Sequence, residues 1–412
     1  MVSQLVISIR SCEEEGVNGM SDRTKLLKDR AFKEVNSSSS RFIEISHQIH
    51  ANPELSFEEY RACAWLSEAL VSYGYSLAVK PGGLETAFVA SAGTGPLVMS
   101  ICAEYDALPE IGHACGHNII AAAAIGAAKA LAPMIDDLGI TLKIMGTPAE
   151  EGGGGKIEMM DRGLFDGIHA SMMVHPSPVE ADRMDCIAGK HLNIQYLGKE
   201  AHAAGFPQAG INSQDAITVA QVAIGLLRQH LYPYEMVHGI VTKGGDAPNV
   251  IPSDTRGRWI IRAETLAQLS TLEPKVRACF EAGSVATGAK LEIVEASKTY
   301  SEFITDERLA TLYVKNAQDL GRVFSNETEG RLKASTDMAN VSLKIPSIHP
   351  MLGIDSLPAV NHQPEFAAAC ITPIADQAIL DGAIAMAQTI IDAAIDTEIR
   401  SYLLEKRASN PR

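Results

Sequence analysis

The stretch PLVMSICAEYD, residues 96–106, is a continuous apolar run that ends in carboxylates. A run without polar alternation fits a strand buried on both faces, because a half-exposed strand alternates apolar and polar residues. Similar runs recur at Ile140–Met145 and Ala170–Val174. Helical patterns lie between and before them. Arg41–His50 and Ser56–Tyr73 are separated by the breaker Asn52-Pro53, and Asn118–Leu131 is a small-residue helix suited to lie close against a sheet. This alternation predicts an α/β layer fold with a mostly parallel central sheet. Pro373–Asp396, rich in Ala and Ile, reads as a long helix covering that sheet.

Near residue 187 the rhythm changes. Ile187–Leu197 reads as a strand, Ser213–Leu231 as a helix, Val237–Thr242 and Arg256–Ala263 as strands, Leu266–Ala282 as a helix and Lys290–Glu295 as a strand. That order, βαββαβ, is a ferredoxin-like module. With 412 residues the chain exceeds one ordinary core. The expected organisation is a loosely ordered lead-in at 1–40, within which Met20 is a candidate start. A catalytic domain follows in two parts, 41–186 and 299–412, interrupted by an inserted lid or dimerisation domain at 187–298.

A formal charge of −15 argues against a nucleic-acid partner, which requires a basic face. No basic tract offers a membrane anchor, and no run reaches the ~18 apolar residues of a bilayer span. Leu5–Ile9 is a short apolar stretch followed at once by Glu13–Glu15, unlike a secretory signal, so the expected location is cytoplasmic. The cysteines at 12, 63, 102, 115, 186, 279 and 370 are odd in number and lack paired spacing, which predicts free thiols. Most should be small buried hydrophobes. Cys115 is the exception.

Three predicted buried strands end in polar or ionisable residues: Glu104-Tyr105-Asp106, Glu150-Glu151 and His175. Parallel sheets bind ligands at the carboxyl ends of their strands, so these ends converge on one crevice. Between the first two lies His113-Ala114-Cys115-Gly116-His117-Asn118 at the start of the alanine-rich helix. A thiolate and an imidazole two residues apart can face one ion when the backbone turns at glycine. Alone, Cys-x-His is a buried thiol beside a surface histidine, and Glu-Glu is a solvated pair. Beside three strand ends, adjacent carboxylates suit metal chemistry: one binds the ion while its neighbour takes a proton from acidified water. The run Gly152–Gly155 permits close approach of backbone and substrate.

The chain resembles the dinuclear metal hydrolases that include aminoacylase, glutamate carboxypeptidase and hippurate hydrolase, a family of the co-catalytic zinc peptidase clan. The resemblance runs from about His47 through His50–Ser56, Ala103–Pro109, His113–Asn118, Pro148–Gly153 and Gly198–Ala204. It is similar above all to the branch of auxin-conjugate amidohydrolases and β-alanyl-lysine-type dipeptidases. The resemblance implies hydrolysis of an amide in a small N-acyl amino acid, amino-acid conjugate or dipeptide. It implies two divalent ions, zinc in the first place with manganese or cobalt as alternatives, held by Cys115, His117, Glu151, His175 and His362. The resemblance also implies Cys115 in the bridging position. Glu150 is implied as the general base acting on a bridging hydroxide, Asp106 as the residue orienting a ligand, and His202 as an oxyanion-stabilising group that serves a partner subunit, hence a homodimer. Asn249 and Arg262 are implied to hold the substrate's polar end, since a guanidinium grips a carboxylate bidentately.

Each of these residues has a plainer reading. His362 is a surface loop histidine, His175 a strand cap, Asn249 a turn residue, and Arg262 the partner of an acid such as Glu264. Arg256 and Arg258 are weaker candidates for the substrate role, while His113, His169 and His349 are expected to be structural or to support the ligands from behind. Ala339 stands where the family segment has glycine, and Asn118 where the hippurate-hydrolase branch has aspartate. Two rival functions remain open: a cysteine amidase with Cys115 as nucleophile, and a non-catalytic metal- or peptide-binding module.

Overall fold

The structure, a computed structural model, describes residues 22–324 and 334–408. These divide into two compact units. One comprises residues 22–184, 304–324 and 341–408; the other comprises 185–303 and 334–340. The expected insert, 187–298, lies inside the second.

The first unit opens with a helix over 22–37 (α1). Its Leu27, Ala31 and Val35 recur every fourth residue and are buried. This corrects the expectation of a loosely ordered lead-in for that part of 1–40; residues 1–21, with Cys12 and Met20, lie outside the described range. Helices α2 (Ser39–His50) and α3 (Tyr60–Ser72) follow, then strands β1 (Ser76–Val79), β2 (Phe88–Ala92) and β3 (Leu97–Glu104). Helix α4 (His117–Leu131), the single turn α5 (Ile135–Leu138), β4 (Ile140–Thr147), α6 (Gly155–Asp161), β5 (Ala170–Met172) and β6 (His175–Ser177) complete the first part. Helix α3 begins four residues later than its sequence pattern. Glu59 stands at its N-cap, but its carboxylate binds the Phe57 and Ala149 amides and the Thr86 hydroxyl.

The second unit runs β7 (Ala188–Leu197), α7 (Ser213–Leu227), β8 (Met236–Lys243), β9 (Asp254–Ala263), α8 (Leu266–Thr287) and β10 (Lys290–Glu295). Its antiparallel sheet has the order β10-β7-β9-β8, the predicted βαββαβ module. Alternate residues of β9, including Trp259 and Ile261, are buried, and Trp259 meets Phe280 of α8 edge-on at 5.2 Å between ring centroids.

The chain then returns through α9 (Glu307–Asp319), a short α10 (Met338–Ser342), β11 (Ser347–Ile348), β12 (Met351–Gly353), α11 (Pro364–Ala369), α12 (Pro373–Ile395) and α13 (Thr397–Ala408). The main sheet has the order β1-β2-β4-β3-β5-β11, parallel from β4 to β11 and antiparallel at β1 and β2. A separate parallel pair joins β6 and β12. Every residue of α4 except Lys129 is buried. Its small residues let α12 approach closely: a Cβ on Gly126 would stand 2.8 Å from that of Ala383. The stretches His117–Leu138 and Pro373–Ile395 do reach the length and hydropathy of a bilayer span, contrary to the sequence expectation, but 83% and 89% of those windows are buried in the protein. Their apolarity serves the core.

Candidate metal centre

Four segments deliver side chains to the site at the carboxyl end of the main sheet. β3 ends in Glu104, and Asp106 follows two residues later. The loop after it closes at Gly116, whose φ of 77° lies in the left-handed region open to glycine; this turn puts Cys115 and His117 on either side of the start of α4. β4 ends at Thr147 and leads into Ala149, which also has positive φ, 58°. The Ala149 amide donates to Glu59 Oε1 (2.9 Å), and its carbonyl accepts from the amides of Gly153, Gly154 and Gly155. That clasp holds Glu150 and Glu151. His175 starts β6, and the His362 amide donates to the Ala114 carbonyl at 2.8 Å, tying the late loop to the Cys115 loop.

The ligand atoms of Cys115, His117 and His175 lie within 4.8 Å of one another, as do those of Cys115, Glu151 and His362. All five sequence-predicted ligands are therefore brought together, with Cys115 common to both triads. Cys115 Sγ is 3.5 Å from His175 Nε2. Asp106 couples two segments, accepting from His117 Nδ1 at 3.0 Å through one oxygen and from the Glu151 amide at 3.0 Å through the other. That contact places the His117 proton on Nδ1 and turns Nε2 toward the cluster. His175 Nδ1 likewise donates to the Pro176 carbonyl at 2.9 Å. Glu150 lies at the same place, Oε2 3.9 Å from His117 Nε2.

Electrostatics favour cations here. Burial pushes the Cys115 thiol well above its ordinary range, and Glu151 and Glu150 push the same way. His117 pulls the other way, but burial outweighs it, so the thiol is not activated as a lone nucleophile and its thiolate needs a further positive charge nearby. Burial lowers His175 to about 4, leaving a neutral imidazole whose Nε2 lone pair faces Cys115 Sγ. Burial also opposes charge on His117, but the Asp106 carboxylate overrides it and holds that histidine high. The buried atoms Glu104 Oε2, His117 Nε2 and Glu151 Oε1 make no hydrogen bond. Such orphans carry a cost that a divalent ion would remove, so the residues present fit a metal.

Two neighbours, Lys156 and Glu59, escaped the sequence reading of the site, and a third, Glu104, was named there only as a strand-end residue. Glu104 accepts from the fully buried Lys156 Nζ at 2.5 Å through Oε1, while Oε2 faces His117 Nε2 at 3.5 Å. Despite burial, Lys156 first and His117 next hold Glu104 below the usual carboxylate range. Glu59, read only as part of a helix, anchors Ala149. The one available signal for Lys156 was a lysine immediately after four glycines. A cavity of about 330 Å³ opens beside the cluster, lined by Leu55, Ser56, Glu58, Ala107, Pro109 and Glu151.

His202, Asn249 and Arg262 belong to the second unit. His202 is exposed, and its Nδ1 accepts from the Gly205 and Ala204 amides at 3.0 and 3.3 Å, which leaves the proton on an outward Nε2. Asn249 is exposed, its carbonyl accepting from the Ala203 amide. Arg262 does not pair with Glu264. Its Nη1 donates to Ser335 Oγ at 2.7 Å, and it makes no carboxylate ion pair among the described residues; Glu264 accepts from Gln268 instead. Arg256 is engaged by Asp254. His169 accepts from the Val98 amide, His113 packs against His50, and His349 packs against His175.

A cysteine–histidine–glutamate cluster at the carboxyl ends of a parallel sheet, in a chain interrupted by a ferredoxin-like module, defines a metal-dependent hydrolase. Residues 100–391 match the model of peptidase family M20/M25/M40, and the chain belongs to that family. It is 35% identical over 384 residues to the Xaa-Arg dipeptidase of Mus musculus, covering 89% of each chain. It is 28% identical over 397 residues to an IAA-amino acid hydrolase of Arabidopsis thaliana, covering 86% of each chain. Among solved structures, the fold matches the Bacillus subtilis YXEP protein, a dinuclear metal-binding peptidase, with a TM-score of 0.64, 20% identity and coverage of 86% and 98%. The chain is thus a metal-dependent enzyme that hydrolyses amide bonds in small substrates.

Proposed function

We propose that the centre holds two divalent cations, one on Cys115, His117 and His175 and the other on Cys115, Glu151 and His362, to cleave a dipeptide or an N-acyl amino acid. The observation that carries this reading is the pair of triads sharing Cys115, with Glu150 beside them. Mixed sulfur, nitrogen and oxygen donors suit zinc, with manganese or cobalt as substitutes. When bound, the ions polarise the substrate carbonyl and acidify water. Glu150 takes the proton from the attacking water and delivers it to the leaving amine. Asp106 keeps His117 in the tautomer that presents Nε2.

The 330 Å³ cavity beside Glu151 has room for a substrate side chain, and the Glu58 carboxylate in its lining favours a cationic one. The kinship with an Xaa-Arg dipeptidase supports such a substrate. Arg262, without a carboxylate partner among the described residues, and Asn249 are the groups for the substrate's own carboxylate. We further propose a homodimer in which His202 donates its Nε2–H to the oxyanion in the partner's site. Exposed Val222 and Leu226, one turn apart on α7, and exposed Ile240 on edge strand β8 supply an apolar surface for it.

Glu150→Ala tests the mechanism. Against a panel of Xaa-Arg and β-alanyl dipeptides, N-acyl amino acids and aminobenzoyl-glutamate conjugates, turnover should vanish while metal content stays near that of the parent protein. Undiminished turnover in the variant, or a parent protein that binds no ion, refutes the reading.

A further inference from the structure

The fully buried ion pair between β3 and α6 is not needed to close either metal triad. Glu104 and Lys156 are both inaccessible to solvent, and their charges meet at 2.5 Å through Glu104 Oε1 alone. A buried ion pair repays its desolvation poorly when its remaining lone pairs go unmet, and an apolar pair of similar volume is often as stable. Here the second oxygen is unmet: Glu104 Oε2 makes no hydrogen bond, and neither does His117 Nε2, which it faces at 3.5 Å. Glu104, His117 and Glu150 form a third group whose ligand atoms lie within 4.8 Å of one another, all three buried.

We propose that Glu104 Oε2 is a further protein donor to the ion held by His117, and that Lys156 is the positioning residue that clamps the other oxygen and aims it. This rests on the metal reading above and goes beyond it by making the two ions unequal. Glu104 groups with His117 and Glu150, not with Cys115 and His175, so it adds a buried carboxylate to the ion on Cys115, His117 and His175 from the His117 side. The ion on Cys115, Glu151 and His362 depends on a histidine whose side chain is 56% exposed, and keeps positions for substrate. One ion is therefore tightly held and the other exchangeable.

The test is stepwise titration of zinc into the metal-free full-length chain in competition with a chromophoric chelator, with the absorption spectrum of the cobalt-loaded protein as a second readout. The variants are Glu104→Gln, which keeps an amide oxygen for Lys156, and the double variant Glu104→Gln/Lys156→Met, which removes both charges and avoids an unpaired buried lysine. The wild type should bind two ions of unequal affinity. In both variants the tighter step should weaken by at least ~10–100-fold, the loss seen even for groups acting on a metal through its ligands. The weaker step should stay within a factor of two, and the cobalt bands should shift. Two steps of wild-type affinity and an unchanged cobalt spectrum in either folded variant, judged by circular dichroism, would leave Glu104 and Lys156 as a purely structural pair and overturn the proposal while the two-ion reading stands. A wild type that binds no ion overturns both.

Discussion

Glu59→Gln isolates the cost of holding the Glu150 loop in place. Glu59 is fully buried; its Oε1 accepts from the Phe57 and Ala149 amides and its Oε2 from the Thr86 hydroxyl. Burial, then the nearby Asp106 charge, raise its pKa from 4.5 to about 7. The folded state thus binds this proton more tightly than the unfolded state. Stability contributed by the protonated form is complete below pH 4.5 and is lost as pH rises to about 7. At about 1.4 kcal/mol per pH unit over that interval, the loss is roughly 3 kcal/mol. Glutamine carries no charge, its oxygen can accept from both amides, and its NH₂ can donate to Thr86 Oγ1. Chelator-treated wild type and Glu59→Gln should therefore be compared by denaturant unfolding from pH 4.5 to 8, taking the difference so that the other titrating groups cancel. The variant should gain roughly 3 kcal/mol relative to wild type between pH 4.5 and 7, and nothing further above. A difference flat across this range would refute the argument that Glu59 is forced to ionise in a desolvated site.

Asp106→Asn should weaken metal binding by ~10–100-fold with the fold retained. Both partners of Asp106 are donors, His117 Nδ1–H and the Glu151 amide, and an asparagine presents only one acceptor to them; isothermal titration with zinc checks this, and wild-type affinity would count against it. Mixed subunits of Glu150→Ala and His202→Ala, each inactive alone, should recover part of the wild-type turnover if His202 serves the partner's site. No recovery, with subunit exchange demonstrated by mass spectrometry, would remove the shared-site proposal.

The sheet was legible because its central strands are buried on both faces and so appear as unbroken apolar runs, and the inserted module because its strands alternate around Trp259 and Ile261. Helix α1 was not, since Leu27, Ala31 and Val35 form a narrow stripe among charged residues and a serine tract. The clustered residues were legible as strand-end groups in one crevice, yet their partners were not. Glu104 meets Lys156 across 52 positions, and Arg262 meets Ser335 across 73. No local periodicity carries such pairings. Glu59 was hidden for another reason: it falls inside the predicted helix Ser56–Tyr73, and only the folded backbone shows its carboxylate turned toward Ala149.

The parallel pairing of β5 with β11 has a consequence for biosynthesis. Ser171 finds its neighbour in Ser347, 176 positions later in the chain. At roughly 5–20 residues per second, a ribosome needs about 9–35 s to supply that neighbour. Throughout this interval the nascent chain carries an unfinished apolar sheet margin, and His362 has not yet emerged. The clustered residues therefore come together only after the interrupting module has been made.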